Sequence, residues 1–323
     1  MKSYLNFTLT GLRFLPVWIA FYLFFMIPYY FLLGELSELN STEVTAEGPS
    51  FLFFFYLAIV MAMAFVFIFF MVKLVTQNVT YKGELMICDF HLGKYVWIVI
   101  SGLVLSIVTL GVYFPWFIKN MHRFFVHGTG YNSHKFAFRG KGGKLFLIMT
   151  LTIFIPFLIV GILLFSILEH EIDLQSQNFL MIYQLIVMFS LVPNIYLIMK
   201  WAVDIRYKDY FIRWDTEFFP ATGKIAIELV LAVITIGIYF PMAYIRLYSY
   251  FAEHTKSNVV NGSQISMGYD GDQFSAFLFM WGQILLTVIT LGIYYPWAFS
   301  RIAHRVITQT YVTTNFVSVQ ESK

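Results

Sequence analysis

Three copies of one phrase decide how this chain folds. They read Thr109-Leu110-Gly111-Val112-Tyr113-Phe114-Pro115-Trp116, Thr235-Ile236-Gly237-Ile238-Tyr239-Phe240-Pro241-Met242 and Thr290-Leu291-Gly292-Ile293-Tyr294-Tyr295-Pro296-Trp297. A Gly followed four residues later by a Pro interrupts a helix, because glycine favours non-helical backbone and proline lacks the amide donor. Each phrase lies inside an apolar stretch: Tyr95 to Ile118, Ile225 to Ile245 and Phe274 to Phe299. The three stretches therefore read as helix, turn, short helix. A single kinked spanning helix is the competing reading, since proline is tolerated within membranes.

Outside these segments, four apolar stretches are long enough to span: Leu12 to Leu33, Phe51 to Val72, Leu145 to Leu168 and Phe179 to Trp201. Each exceeds the roughly 20 residues that a hydrocarbon core of about 30 Å requires. The first is too long for a signal-peptide core and reads as a retained span. Pro28 and Pro156 should kink their spans. Composition agrees with a membrane protein. Hydrophobic residues make up 59% of the 323 and charged residues only 12%, against about 25% charge in a soluble domain. A soluble enzyme and a disordered chain are both excluded on that ground. The single cysteine, Cys88, permits no intramolecular disulfide.

Charge chooses between the two readings of the motif segments. The stretch Gly34 to Ser50 carries Glu35, Glu38, Glu43 and Glu47, and Glu169 to Asn178 carries Glu169, Glu171 and Asp173, with no Lys or Arg in either. All 21 Lys and Arg lie elsewhere, with the other eleven of the 18 acids. Basic residues concentrate on the cytoplasmic side. If all seven stretches spanned, the acid-free basic loop from Lys119 to Lys144 would lie outside. If the three motif segments enter and leave on one side, every basic loop and both termini are cytoplasmic. The expected fold is thus a polytopic α-helical membrane protein of repeated hairpins, with four full spans and three re-entrant or short hairpins.

A second pattern, apolar-x-apolar-x-Gly, precedes the apolar stretches at Phe7–Gly11, Phe136–Gly140 and Met267–Gly271. Imperfect copies stand at Phe90–Gly93 and Phe219–Gly223, and Asn315 to Val319 closes the chain. Period-two alternation is a strand signal, so short cytoplasmic strands forming a small sheet are expected. The unit is then strand, inward helix, turn, outward helix. The chain divides into 1–92 (long hairpin), 93–142 (short), 143–222 (long), 223–272 (short) and 273–323 (short hairpin and C-terminal strand).

These motifs resemble the YjgN-like family of bacterial inner-membrane proteins, whose domain has no known function. The resemblance rests on the three Gly-x-Tyr-aromatic-Pro phrases, the Thr129 to Gly140 connector and the strand pattern. It covers Val79 to Tyr311 well and the first hairpin less well. The family carries a Trp after the Pro and a basic run beyond; here Met242 replaces one Trp, and the run thins to Lys119 and Arg123, Arg246, and Arg301 and Arg305. The resemblance implies an inner-membrane location and supplies no activity.

Chemistry is sparse. Gly140-Lys141-Gly142-Gly143-Lys144 lacks phosphate-loop spacing and reads as a basic strand-to-helix corner. His122, His127 and His134 share one loop with no acid, so no metal site is expected; no catalytic constellation or cofactor site is visible either. Glu228 is the only acid within the apolar stretches, and an ionisable residue there marks a functional position by default. A pair with Lys224, four residues earlier, is its structural alternative. Gln283 holds the same place relative to its motif glycine, and Gly102 in the first copy. Tyr183, Ser190 and Asn194 form a polar stripe on the fourth span, either lining a path or joining helices. Glu228, Gln283 and that stripe are the candidate polar interior. Gly111, Tyr113, Pro115, Gly237, Tyr239, Pro241, Gly292, Tyr294 and Pro296 are structural turn residues.

Anionic lipid headgroups on the cytoplasmic side are the expected partner, met by Lys119, Arg123, Arg139, Lys141, Lys144, Arg246, Arg301 and Arg305. No aromatic-basic module for nucleic acid is present. A homo-oligomer or a membrane-protein partner is left open. Two functions fit: a transporter or channel-like protein for a small solute, and a lipid-binding or scaffolding protein without transport or catalysis.

Overall fold

A computed structural model describes residues 2–41, 49–169 and 177–316. The chain is mostly helical. Strand β1 (Lys2–Phe7) leads into helices α1 (Gly11–Ser41) and α2 (Phe51–Gln77), then strands β2 (Val79–Tyr81), β3 (Glu84–Leu85) and β4 (Ile87–Cys88). Helices α3 (Leu92–Val108) and α4 (Phe114–Gly128) follow, then β5 (Thr129–Tyr131), β6 (His134–Lys135) and β7 (Ala137–Phe138). Next come α5 (Gly142–Met149), a π-helical turn (Thr150–Phe154), α6 (Ile155–Glu169) and α7 (Gln177–Ala202), then β8 (Ile205–Tyr207) and β9 (Tyr210–Trp214). Helices α8 (Phe218–Ile234) and α9 (Phe240–Glu253), strands β10 (Thr255–Ser257) and β11 (Ser263–Tyr269), helices α10 (Gln273–Ile289) and α11 (Tyr295–Thr308), and strand β12 (Thr310–Phe316) are the remaining elements among the described residues.

The three elbow phrases are built alike. Leu110 and Gly111 take successive left-handed conformations, with φ of 48° and 88°, and the Gly111 amide reaches back to Ser106 O at 2.6 Å. That closes the helix C-terminus in the way left-handed caps do. Thr109 Oγ1 then accepts the Tyr113 amide at 2.9 Å, and Pro115 sits in the first turn of the next helix, where no amide is needed. Ile236-Gly237 and Leu291-Gly292 repeat the geometry, with Thr235 and Thr290 receiving the amides of Tyr239 and Tyr294. Gly237→Ala should therefore cost about 1–2 kcal/mol, the penalty of a side chain in left-handed backbone. Gly282→Ala, where an added Cβ meets open space inside α10, should be neutral or stabilising. Melting temperatures in one detergent compare the two.

Strands pair into one nine-stranded run, β3-β2-β1-β12-β11-β10-β9-β8-β7, and a three-stranded one, β4-β5-β6. The two runs join. β3 and β4 are one extended stretch whose alternate amides face opposite neighbours: Met86 N–H donates to Val79 O at 3.1 Å, and Asp89 N–H to Gly128 O at 2.7 Å. β6 and β7 are likewise continuous, with Phe136 N–H bonded to Thr129 O at 2.9 Å and Arg139 N–H to Asp204 O at 3.0 Å. Among the described residues the antiparallel ladder thus returns to its start without a free edge, which is how barrels remove exposed edges.

The helices follow the same circuit. α1 packs on α2 and α11, α3 on α2 and α4, α5 on α4 and α7, α8 on α7 and α9, and α10 on α9 and α11. The seam between the first and last elements is aromatic. Phe7, Leu9 and Phe14 are buried against Trp18, Tyr295 and Phe299, and the Trp18 and Tyr295 rings lie 4.4 Å apart. Gly11 accepts the Trp297 ring so closely that any Cβ would stand 2.5 Å from it. Gly142 accepts Trp116 in the same way.

Several expectations need correction. The sheet is large rather than small. Phe219–Gly223 is not a strand but the first turns of α8, because Pro220 fits a first helical turn. Phe90–Gly93 follows a strand instead of forming one. Three helical segments among the described residues are long and apolar enough to cross a membrane, Gly11–Ser37, Phe51–Gln77 and Gly142–Ile162; the fourth expected span lies in α7. The third contains the π-helical turn, which precedes Pro156. The Ile155 amide bonds Thr150 O there, so the missing Pro156 amide is absorbed without breaking the rod. Parts of both acidic loops (Glu43, Glu47, Glu171 and Asp173) and the end of the C-terminal strand beyond Phe316 lie outside the described residues.

Candidate functional site

Aligning the three elbows on their glycines exposes a recurrent polar triplet. Nine residues before the glycine stand Gly102, Glu228 and Gln283; two after, Tyr113, Tyr239 and Tyr294; nine after, Asn120, Arg246 and Arg301. Helical periodicity places the outer two members on facing limbs of one hairpin, and the tyrosine hydroxyl reaches between them.

In the fourth hairpin, Tyr239 donates to Glu228 Oε2 at 2.8 Å, and Arg246 Nη1 donates to the Tyr239 hydroxyl at 2.8 Å. Lys224 Nζ lies 2.8 Å from Glu228 Oε1, one helical turn away, and Arg246 lies 3.8 Å from the same oxygen. Glu228 is fully buried, which an ionised carboxylate tolerates only when paired and hydrogen-bonded. In the fifth hairpin the acceptor is neutral. Tyr294 donates to Gln283 Oε1 at 3.1 Å, and Arg301 Nη1 to the Tyr294 hydroxyl at 2.7 Å. In the second hairpin only Asn120 Nδ2 reaches the Tyr113 hydroxyl, at 3.4 Å. Gly102 is covered there by the Phe117 ring, which an added Cβ would strike at 2.1 Å. Ala243 and Ala298 hold the corresponding places in the other two copies, so a large ring and a glycine exchange volume for an alanine and a long polar side chain.

Glu228 and Gln283 are therefore not brought together. Each accepts a tyrosine hydroxyl inside its own hairpin, and Glu228 Oε1 is ion-paired there without a hydrogen bond among the described residues. Asn194 Nδ2 donates to Thr152 Oγ1 at 2.8 Å, which fits interhelical joining better than a lined path. Ser190 bonds Val187 O of its own helix at 2.9 Å. The Tyr183 side chain lies outside the described residues.

The basic residues divide into two groups. Arg246 and Arg301 serve the triplets. Arg305 donates to Ser275 Oγ at 2.7 Å and lies over the Phe279 ring, and Arg139 lies 3.7 Å from Asp204 and over Phe211. Arg123, Lys141 and Lys144 are exposed, and Lys119 is half-buried, donating to Asn120 Oδ1 at 3.4 Å. The basic corner is Lys141 at the N-cap of α5. Trp201 is buried, donating to Lys141 O at 3.1 Å.

His122 bonds Ala202 O at 2.9 Å and His134 bonds Asn132 O at 2.7 Å. Among the described residues no group of three His, Cys, Asp or Glu stands where it could hold a metal. A cleft of about 530 Å³ opens between α3 and α4, lined by Lys94, Ser101, Tyr113, Asn120, Arg123 and His127. Sequence reasoning missed this cleft. Its signal was the absence of a long side chain at Gly102, which leaves the second hairpin without the acceptor that the other two possess.

A family model described as "Bacterial protein of unknown function (DUF898)" matches residues 1–123 and 104–266. That match takes in the first hairpin and ends at residue 266. Over 78 residues the chain is 33% identical to the protein named inner membrane protein YjgN of Salmonella typhimurium. The aligned part covers 24% of this chain and only 18% of that relative. No solved structure matches.

Proposed function

This chain belongs to the bacterial protein family of unknown function DUF898, and from that premise we propose that it is an inner-membrane conduit, a transporter or channel-like protein for a small solute. The observation that carries the reading is closure. A backbone ladder and a helix circuit that both return to their start enclose an axis, and the circuit of helices, whose backbone groups are bonded internally, would wall a path along it in the bilayer. The relative named for the inner membrane supports the location.

The arrangement in the bilayer follows from length. α2, with 27 residues, measures about 40 Å and α3, with 17, about 25 Å at 1.5 Å per residue. A core of about 30 Å is crossed by the first and not by the second. The three short hairpins then dip into the membrane and return, and their tips support this. Leu110 and Ile236 are 94% and 93% exposed, a placement that suits hydrocarbon. All strands then share the cytoplasmic side with both termini. In a Cys88→Ser background, single cysteines at Glu84, Asp209 and Val259 should resist an impermeant thiol reagent added outside, while one at Ser37 reacts. External labelling at Asp209 would overturn the topology.

Flux decides the activity. Purified protein in vesicles should accelerate release of at least one class among inorganic ions, sugars, amino acids and organic acids over protein-free vesicles. If none moves, the scaffolding reading takes over, supported by the exposed cations Arg123, Lys141 and Lys144, which suit anionic headgroups.

A further inference from the structure

The second hairpin differs from its two counterparts in charge as well as volume. In the fourth, Lys224 and Arg246 converge on the Glu228 carboxylate. In the second, Ile98, Gly102 and Asn120 stand where Lys224, Glu228 and Arg246 do, and the cations lie nearer the strands. Lys94, Arg123 and Lys135 line the cleft against one acid, Asp89. That acid is already engaged. Lys135 pairs with Oδ2, and His91 Nδ1 lies 3.4 Å from Oδ1. Among the described residues of the lining the excess is two positive charges, flanked by His127, and Lys94 shares Asp89 only at longer range.

His127 stands beside these cations. Burial first, and then the neighbouring Arg123, Lys94 and Lys119, hold its imidazole below the usual range, against a backbone bond to Phe138 that acts the other way. Its Nε2 is buried without a hydrogen-bond partner among the described residues. Deeper in the cleft, Ser101, Tyr113 and Asn120 add neutral polar groups. The volume of about 530 Å³ is many times the roughly 30 Å³ that one water molecule occupies.

We propose that the α3–α4 cleft binds a phosphate-class oxyanion, held by Lys94 and Arg123 with His127 beside them, so that the ligand offsets the positive excess of the cleft lining. A planar guanidinium matches two oxygens of such a group, and an ammonium adds a point charge. Free phosphate and a phospholipid headgroup share this chemistry. The site stands whether or not the ring conducts.

The test uses the whole protein in a neutral detergent. Inorganic phosphate is titrated at constant ionic strength and followed calorimetrically. Bicelles of phosphatidylcholine with and without phosphatidylglycerol form the second arm. The wild type should bind one of the two probes, and Arg123→Gln with Lys94→Gln should weaken that binding at least tenfold. Lys208→Gln, which removes an exposed cation on the β8–β9 turn, should leave it unchanged. Both altered residues are at the cleft surface, so melting temperatures should match the wild type. Phosphate binding in detergent identifies a soluble oxyanion site, and phosphatidylglycerol binding without phosphate binding identifies a headgroup site. Binding of neither probe, or equal binding by the double variant and the wild type, would overturn the proposal.

Discussion

Glu228→Ala should destabilise the protein by about 3 kcal/mol, while Glu228→Gln should cost about 1 kcal/mol. The asymmetry follows from what each variant leaves behind. Alanine strands Lys224 and Arg246 beside a buried gap and removes the acceptor of the Tyr239 hydroxyl. Removing one partner of a buried pair costs about 3–5 kcal/mol when the remaining charge cannot reach water. Here the two cations are 34% and 41% exposed, so partial solvation brings the loss to the low end. Glutamine keeps an oxygen for Tyr239 and reproduces the arrangement that Gln283 makes with Tyr294 and Arg301 in the fifth hairpin. The remaining misfit is Lys224, whose counterpart in that hairpin is Phe279. Lys224→Phe added to Glu228→Gln should recover most of the loss, a non-additivity expected of residues in one network. Denaturant unfolding in one detergent measures all three. Equal stability of wild type and Glu228→Ala would remove the basis for treating the triplet as an ion-pair network.

The elbows were legible because their chemistry is local. A Thr that receives an amide, a Gly at positive φ and a Pro in the next first turn act within eight residues, so the phrase alone specifies the turn. Strand number was less legible. The alternating patterns pointed to strands leading into helices but passed over the partner strands that precede them. Those were marked by turn residues at Lys82-Gly83, Asn132-Ser133 and Asn261-Gly262, all with positive φ, the short hairpin connections that twisted strand pairs favour. Closure could not be read at all, since it depends on β12 meeting β1 across nearly the full chain. The functional reading of Glu228 and Gln283 suffered from the same limit. Their equivalence by spacing was visible, but only the tyrosine hydroxyls two residues past each glycine show that both are engaged locally. The exchange of Gly102 and Phe117 for Glu228 and Ala243 is a compensation between helices that no single segment carries.

Deleting Thr310–Lys323 should abolish a monodisperse fold, because β12 is the strand that closes the ring. Its register runs from Ser263↔Phe316 to Tyr269↔Thr310 on one side and from Lys2↔Thr313 to Tyr4↔Tyr311 on the other. Removing it leaves β11 and β1 as two facing edges, each a template for intermolecular pairing. Size-exclusion profiles should move to the void volume, and a well-behaved monomer after deletion would argue against closure. A milder variant isolates the pairing from the loss of chain. Gly268→Val would drive a side chain into the Tyr311 ring, which lies 2.3 Å from where its Cβ would stand, and should weaken the same seam without removing a strand. The converse experiment locks it. Ser3 and Val312 are register partners, and opposed residues of antiparallel strands lie about 4.5–5.5 Å apart, within disulfide reach. In a Cys88→Ser background, Ser3→Cys with Val312→Cys should oxidise within one chain and raise stability by on the order of 4 kcal/mol through the large loop it closes. The crosslinked chain becomes nearly a circle and should migrate differently from its reduced form on a denaturing gel. Failure of that bond to form in folded protein would mean that the first and last strands do not meet, and the enclosed axis on which the conduit reading rests would be gone.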